Sequence, residues 1–127
     1  MIKSTAWNWF SKYIRLRDCL ETTGNKDYCK CITCGRIKHV SEIQAGHGIG
    51  GRGNGILFDE EVTHGQCVYC NWHLKGNYEM YITVLIEKRG AEWYEQKKIK
   101  SKLPCKIDLK EESKKWRLRY NELNGIS

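Results

Sequence analysis

The first apolar rhythm along the chain is helical. Trp9, Tyr13, Leu16 and Leu20 recur at steps of four, three and four, which places them on one stripe and predicts an amphipathic helix from about Thr5 to Leu20. Ser4 or Thr5 can cap its start, and Thr22-Thr23-Gly24-Asn25 supplies turn residues to end it. From Cys29 to Cys70 the rhythm disappears. Val40 to His47 and Glu61 to Gln66 read as two short strands. The eight residues that join them, Gly48 to Gly55, contain five glycines, but no Gly-Lys-Ser/Thr follows, so the run reads as a flexible connector. Helical spacing returns after Cys70. A short helix should reach Leu74 or Lys75 and stop at Gly76-Asn77; a second should run from about Tyr78 to Arg89 with Tyr81, Val84 and Leu85 aligned. Gly90 ends that helix and Ala91 to Lys100 continues in a new direction. Pro104 breaks the pattern, and Asp108 with Glu111 forms a capping box for a last helix through Leu123, with Leu109, Trp116, Tyr120 and Leu123 facing inward.

At 127 residues this is one domain, divided into an N-terminal helix (1–28), a central segment (29–77) and C-terminal helices (78–127). A core of that size gains from an added cross-link such as a metal. Seven cysteines make an odd count and no signal-peptide pattern opens the chain, so free thiols in a reducing compartment are expected. No apolar run approaches the roughly 20 residues that span a bilayer, so no membrane role is expected. The net charge of +7 is unevenly spread. Residues 1–30 carry six Lys/Arg against three acids, 31–83 four against five, and 84–127 twelve against seven. A neutral centre between basic flanks suits a protein that holds a polyanion at its edges and does chemistry in the middle.

The chemistry that changes the picture most is sulfur. Cys31/Cys34 and Cys67/Cys70 are two Cys-x-x-Cys pairs, and a two-residue gap lets both thiolates of a knuckle turn onto one tetrahedral Zn²⁺. Cys29 also precedes Cys34, but Cys31 matches the spacing of the second pair and Gly35 follows Cys34 as a knuckle turn requires. Cys19, Cys29 and Cys105 are left as unpaired thiols. Between the pairs lies Ala45-Gly46-His47, and Asn71 follows the second pair at once.

Taken together, Tyr13-Ile14-Arg15-Leu16-Arg17-Asp18, Cys31-Ile32-Thr33-Cys34-Gly35, Ala45-Gly46-His47, Phe58, His64, Gln66-Cys67, Cys70-Asn71, His73 and Gly76-Asn77 resemble the NinG/Rap family of lambdoid phage recombination proteins. That family is placed among the HNH (His-Me finger) nucleases. The resemblance implies an α+β fold: a zinc-stapled ββα-metal core with flanking α-helices at both termini. It implies a structure-specific endonuclease on branched DNA, such as Holliday junctions or D-loops, in the cytoplasm of a bacterial host. His47 would be the general base, a role its unperturbed pKa near 6.5 suits. Asn71 would hold a catalytic Mg²⁺ or Mn²⁺, with His64 and then His73 as weaker candidate ligands and His64 a candidate catalytic group. Arg15, Arg17, Arg52 and Lys75 are the candidate DNA contacts. Cutting two symmetric strands implies a homodimer, with the aromatic-rich terminal helices as the interface.

Three positions depart from the pattern. Gln44 and Gly46 stand where acidic metal ligands are common, and Val62 stands where an asparagine usually orients the base. These departures support an alternative reading, a zinc-stabilised DNA-binding module without catalysis.

Overall fold

The computed structural model describes residues 2–50 and 53–125. Helix α1 spans Ile2–Thr23. It runs past the threonine pair that sequence reasoning takes as its stop, because the Thr22 and Thr23 hydroxyls donate back to the Asp18 and Cys19 carbonyls, at 2.6 and 2.9 Å. Gly24, at φ 73°, ends it. The inward face centres on Ala6, Phe10, Tyr13 and Ile14; Trp9 and Leu20 lie at its margins.

Next come β1 (Tyr28–Lys30) and β2 (Ile37–His39), an antiparallel pair that closes the first knuckle and that the sequence reading leaves unassigned. Both strands have only three residues, too few for a visible alternation. A 3₁₀ turn at Val40–Glu42 leads into β3 (Ile43–His47), which pairs antiparallel with β4 (Thr63–Cys67). The register sets Ile43 opposite Cys67, Gln44 opposite Gln66, Gly46 opposite His64 and His47 opposite Thr63.

The glycine-rich connector is a correction. It leads into a short helix, α2 (Asn54–Leu57), and Gly53 and Gly55 serve close approach. A Cβ on Gly53 would collide with the Ser101 carbonyl and one on Gly55 with the Lys100 carbonyl, so α2 lies directly on the backbone of the fourth helix. Arg52 lies outside the described residues.

After β4 a π-helical turn at Tyr69–His73 leads to α3 (Tyr78–Arg89), α4 (Ala91–Lys102) and α5 (Leu109–Leu123). Asp108 caps α5 as expected, accepting from the Lys110 and Glu111 amides, both at 3.1 Å. Of the inward residues proposed for α5, Trp116 is buried and Leu123 is exposed.

The result is a mixed α+β fold in which the β3–β4 hairpin is sandwiched. On one side α1 and α5 close an aromatic core of Phe10, Tyr13, Ile14, Ala45 and Trp116, with Phe10 and Trp116 edge to face at 4.7 Å. On the other, Ile49, Ile56, Val62, Tyr81, Leu85 and Tyr94 pack beneath α3 and α4. The terminal helices pack aromatic residues on each other, with Trp9 also against Tyr120 and Tyr13 against Trp116. Among the described residues no helix is long and apolar enough to cross a membrane.

Candidate functional site

The knuckles converge. The Sγ atoms of Cys31, Cys34, Cys67 and Cys70 lie within 4.8 Å of one another, and Cys34 and Cys67 are 3.8 Å apart. Four thiolates at a Zn–S distance of about 2.3 Å would stand about 3.8 Å apart on a tetrahedron, so the set fits a structural zinc. Gly35 adopts φ 75° and donates its amide to the Cys31 carbonyl at 3.0 Å, which closes the first knuckle. The surrounding donors point at sulfur. Cys67 N–H reaches Cys31 Sγ at 3.3 Å, Cys70 N–H reaches Cys67 Sγ at 3.4 Å, and Asn77 Nδ2 reaches Cys70 Sγ at 3.7 Å.

Charge follows from those contacts. Burial works against a thiolate at Cys31, but the amides of Cys34 and Cys67 and the Thr33 hydroxyl outweigh it and bring the thiol down to about 6. Burial pushes Cys67 up to about 12 and raises Cys34 as well, so a cation is what would make thiolates of these two. Burial also pushes Cys29 up to about 12, and its Sγ sits outside the convergent set. Cys31 is therefore the partner of Cys34, and Cys29 with Cys19 belongs to the core beneath.

His47 is the last residue of β3. Its Nε2 is 3.0 Å from the Leu57 carbonyl, and its ring lies on Trp7 of α1 with centroids 5.2 Å apart and planes at 32°. A carbonyl only accepts, so Nε2 carries the proton and the lone pair of the neutral ring sits on Nδ1. A helix and a backbone carbonyl thus hold the imidazole. Neither Trp7 nor Leu57 was named as a site residue from sequence, since a carbonyl contact leaves no mark in residue type.

Asn71 lies in the π-helical turn. Its Nδ2 donates to Gln44 Oε1 at 2.7 Å, which turns Oδ1 toward Gly46: a Cβ there would be 3.1 Å from that oxygen. Alternation along β3 puts Gln44 and Gly46 on one face and His47 on the other. Asn71 and His47 are brought to adjacent residues of one strand end, on opposite sides of the ribbon.

Gln66 completes the Asn71 side. Fully buried, it donates Nε2 to the Gly76 carbonyl at 2.7 Å and to Thr33 Oγ1 at 3.2 Å. Thr33 Oγ1 in turn lies 3.3 Å from Cys31 Sγ, so the sulfur cluster and this carboxamide share one hydrogen-bond chain.

The other predicted residues fall elsewhere. His64 Nδ1 is 3.2 Å from Arg17 Nη2 and 3.4 Å from Asp18 Oδ2, and a guanidinium that close works against a divalent cation on this ring. His64 is placed in a polar network with Arg17 and Asp18. Arg17 is tied into the same network. Its Nε bonds Asp18 at 2.8 Å, Nη1 the Glu60 carbonyl at 2.8 Å and Nη2 the Thr63 carbonyl at 2.7 Å, with 14% of the side chain exposed, so it fastens α1 to the hairpin. His73 is exposed and stacks on Tyr69 at 5.6 Å, apart from the Asn71 group. Lys75 is exposed, and Arg15 is half-buried with Nε on the Ser11 carbonyl at 3.3 Å.

A basic surface was missed. Thr5 of α1 and Lys110, Ser113, Lys114 and Arg117 of α5 line one shallow groove. The excess of cations in residues 84–127 was its signal, although composition alone does not say that Lys110, Lys114 and Arg117 share a face. Val62 is fully buried in the apolar core with Ile56, Tyr81 and Leu85, which explains why a polar orienting residue does not stand there.

Comparison with known proteins bears on this arrangement. "Protein ninG" of Salmonella phage P22 is 39% identical over 61 residues, 47% of this chain and 30% of that protein. "Protein ninG" of Escherichia phage 933W is 38% identical over 63 residues, 49% of this chain and 31% of that protein. The matched stretch thus spans less than a third of the length of these relatives. No solved structure matches the chain. The model of the family described as "Bacteriophage Lambda NinG protein" matches residues 2–124, nearly the full length, and the chain belongs to that family.

Proposed function

We propose that this protein is a metal-dependent endonuclease of the HNH type that hydrolyses phosphodiesters in branched DNA during phage recombination. The observation that carries the reading is the end of β3. A histidine with its Nε2 proton fixed on the Leu57 carbonyl stands next to a glycine against which the Asn71 carboxamide oxygen is aimed. A hairpin followed by a helical turn, clamped by four sulfurs, is the framework a ββα-metal nuclease uses.

In this reading the phosphodiester lies across the strand end. Nδ1 of His47 takes the proton of the attacking water, and Trp7 keeps the ring from rotating away. Asn71 Oδ1 would hold a divalent ion, Mg²⁺ or Mn²⁺, which when bound supplies positive charge opposite the departing 3′ oxygen. The P–O bond to the 3′ oxygen breaks with its electron pair on that oxygen, which takes a proton from solvent water to become a hydroxyl, and the phosphate stays on the 5′ side. The groove of Lys110, Lys114 and Arg117, together with Lys75, grips the backbone, and exposed Tyr69 and Trp72 on the π-helical turn can stack on bases that a branch leaves unpaired. Paired incision at a four-way junction takes two copies of the chain.

The experiment compares wild type with His47→Ala on branched and linear DNA with Mg²⁺ or Mn²⁺. The variant should keep its zinc and its DNA binding and lose cutting by about 10²- to 10⁴-fold. Wild-type protein that binds branched DNA and cuts none would favour the second reading, a zinc-stabilised binding module. The neutral carboxamides around Asn71, with no carboxylate among its contacts, are what supports that alternative.

A further inference from the structure

The proposed ion site has lost both acidic ligands expected beside His47, and something must take their place. Gly46 and Gln66 show what does. A Cβ on Gly46 would overlap Gln66 Oε1 and come 3.2 Å from Gln66 Cδ, so the glutamine carboxamide reaches from β4 into the space that a side chain at position 46 would fill. That same Oε1 is the buried side-chain polar atom that finds no hydrogen-bond partner among the described residues. An acceptor left without a donor in the interior is costly, and the amide is held in this orientation by its nitrogen. Turning the group over would set its oxygen against the Gly76 carbonyl, which now receives Nε2 at 2.7 Å.

We infer that Gln66 Oε1 is a ligand of the divalent ion, replacing the missing acidic residue, with Asn71 Oδ1 as its neighbour. Both oxygens face the Cβ position of Gly46, and both amide nitrogens are committed elsewhere, Asn71 to Gln44 and Gln66 to Gly76 and Thr33. Mg²⁺ and Mn²⁺ take oxygen ligands and keep water and phosphate in their remaining positions, so two carboxamide oxygens would be a weak site on their own, completed by the charge of the DNA phosphate. Gly46 is then required by the ligand. Glycine is the residue that leaves room for a carboxamide arriving from the opposite strand. The inference rests on the nuclease reading above.

Mn²⁺ binding to the zinc-loaded protein without DNA, followed by electron paramagnetic resonance, tests it independently of cutting. Gln66→Met keeps the length of the side chain and removes the oxygen; Mn²⁺ affinity should fall about 10-fold or more with the zinc content unchanged. Gly46→Asp combined with Gln66→Ala places a carboxylate in the vacated space and should bind Mn²⁺ at least as tightly as wild type. Wild-type affinity in Gln66→Met overturns the assignment, and so does a loss that the double variant fails to restore, which would make Gln66 a support of the fold. Wild-type protein that binds no Mn²⁺ overturns it too, whereas the base role of His47 stands or falls on the cutting comparison.

Discussion

Two polar clusters flank the β3–β4 hairpin, and they differ in one respect that separates structure from site. Asp18, Arg17 and His64 form a charged cluster with its groups engaged: Asp18 Oδ2 accepts from the Gly65 amide at 2.6 Å, Oδ1 from Arg17, and the remaining guanidinium nitrogens end on carbonyls. Gln44, Gln66 and Asn71 form a neutral cluster that stops one partner short, at Gln66 Oε1. A closed network of buried charges fixes α1 on the hairpin. An open one leaves an acceptor, Gln66 Oε1, for the ion proposed above. The charged residues fasten α1 to the hairpin, while the uncharged amides look like filler in the sequence and line the candidate site.

Removing the metal should break that comparison most severely. The Cys31–Thr33–Gln66 chain ties the open cluster to the sulfurs, so Gln66 and Asn71 lose their placement once the knuckles open. Structural zinc contributes on the order of 10 kcal/mol of apparent binding energy to small domains. Chelation, or Cys67→Ser, should therefore abolish the cooperative melting transition of the central segment. A metal-free protein that melts where the loaded one does would mean that the four thiols are only core.

The closed cluster makes the next largest effect. Burial alone would raise the Asp18 carboxyl, but the hydrogen bond with His64 and the charge of Arg17 outweigh it and hold it down at about 2, against 3.8 for the ordinary group. A carboxylate depressed on folding stabilises the protein above its unfolded pKa, and that contribution is lost as pH falls through the folded value. At neutral pH, Asp18→Asn leaves Arg17 buried without its counter-charge and should cost about 3 kcal/mol. Between pH 4 and 2 the gap between wild type and variant should shrink by about 2 kcal/mol, read from urea unfolding at each pH. A gap that stays constant over that window would show that Asp18 is not the titrating group.

What was legible in the chain follows the same division. The four cysteines, the ends of α3 and the Asp108 cap carry their physics in residue type and spacing, and each stands where that physics puts it. The inward stripe of α1 was offset because Phe10 and Ile14, rather than Trp9 and Leu20, meet Ala45 and Trp116, and only tertiary packing decides which flank of a broad apolar face goes deepest. Gly53 and Gly55 of the connector read as freedom when their use is contact with α4, since a missing side chain suits both. Arg17 read as a phosphate contact because its partners are mostly backbone carbonyls, and the orphaned oxygen of Gln66 emerges only when every other acceptor around it has been matched.

Val62 sharpens the comparison with the smallest effect. In HNH proteins an asparagine at this position orients the base, which makes Val62→Asn look like a repair. Here the side chain is fully buried among Ile49, Ile56, Tyr81 and Leu85, and the orienting contact for His47 comes from the Leu57 carbonyl on the connector. A carboxamide placed in that apolar pocket finds no partner and should cost about 1–3 kcal/mol, read as a lower melting temperature. Cutting of branched DNA should not rise, because the imidazole already has its proton fixed on Nε2. A variant that cuts faster than wild type would mean that the Leu57 carbonyl does not hold the ring in the working state, and that position 62 belongs to the site rather than to the core.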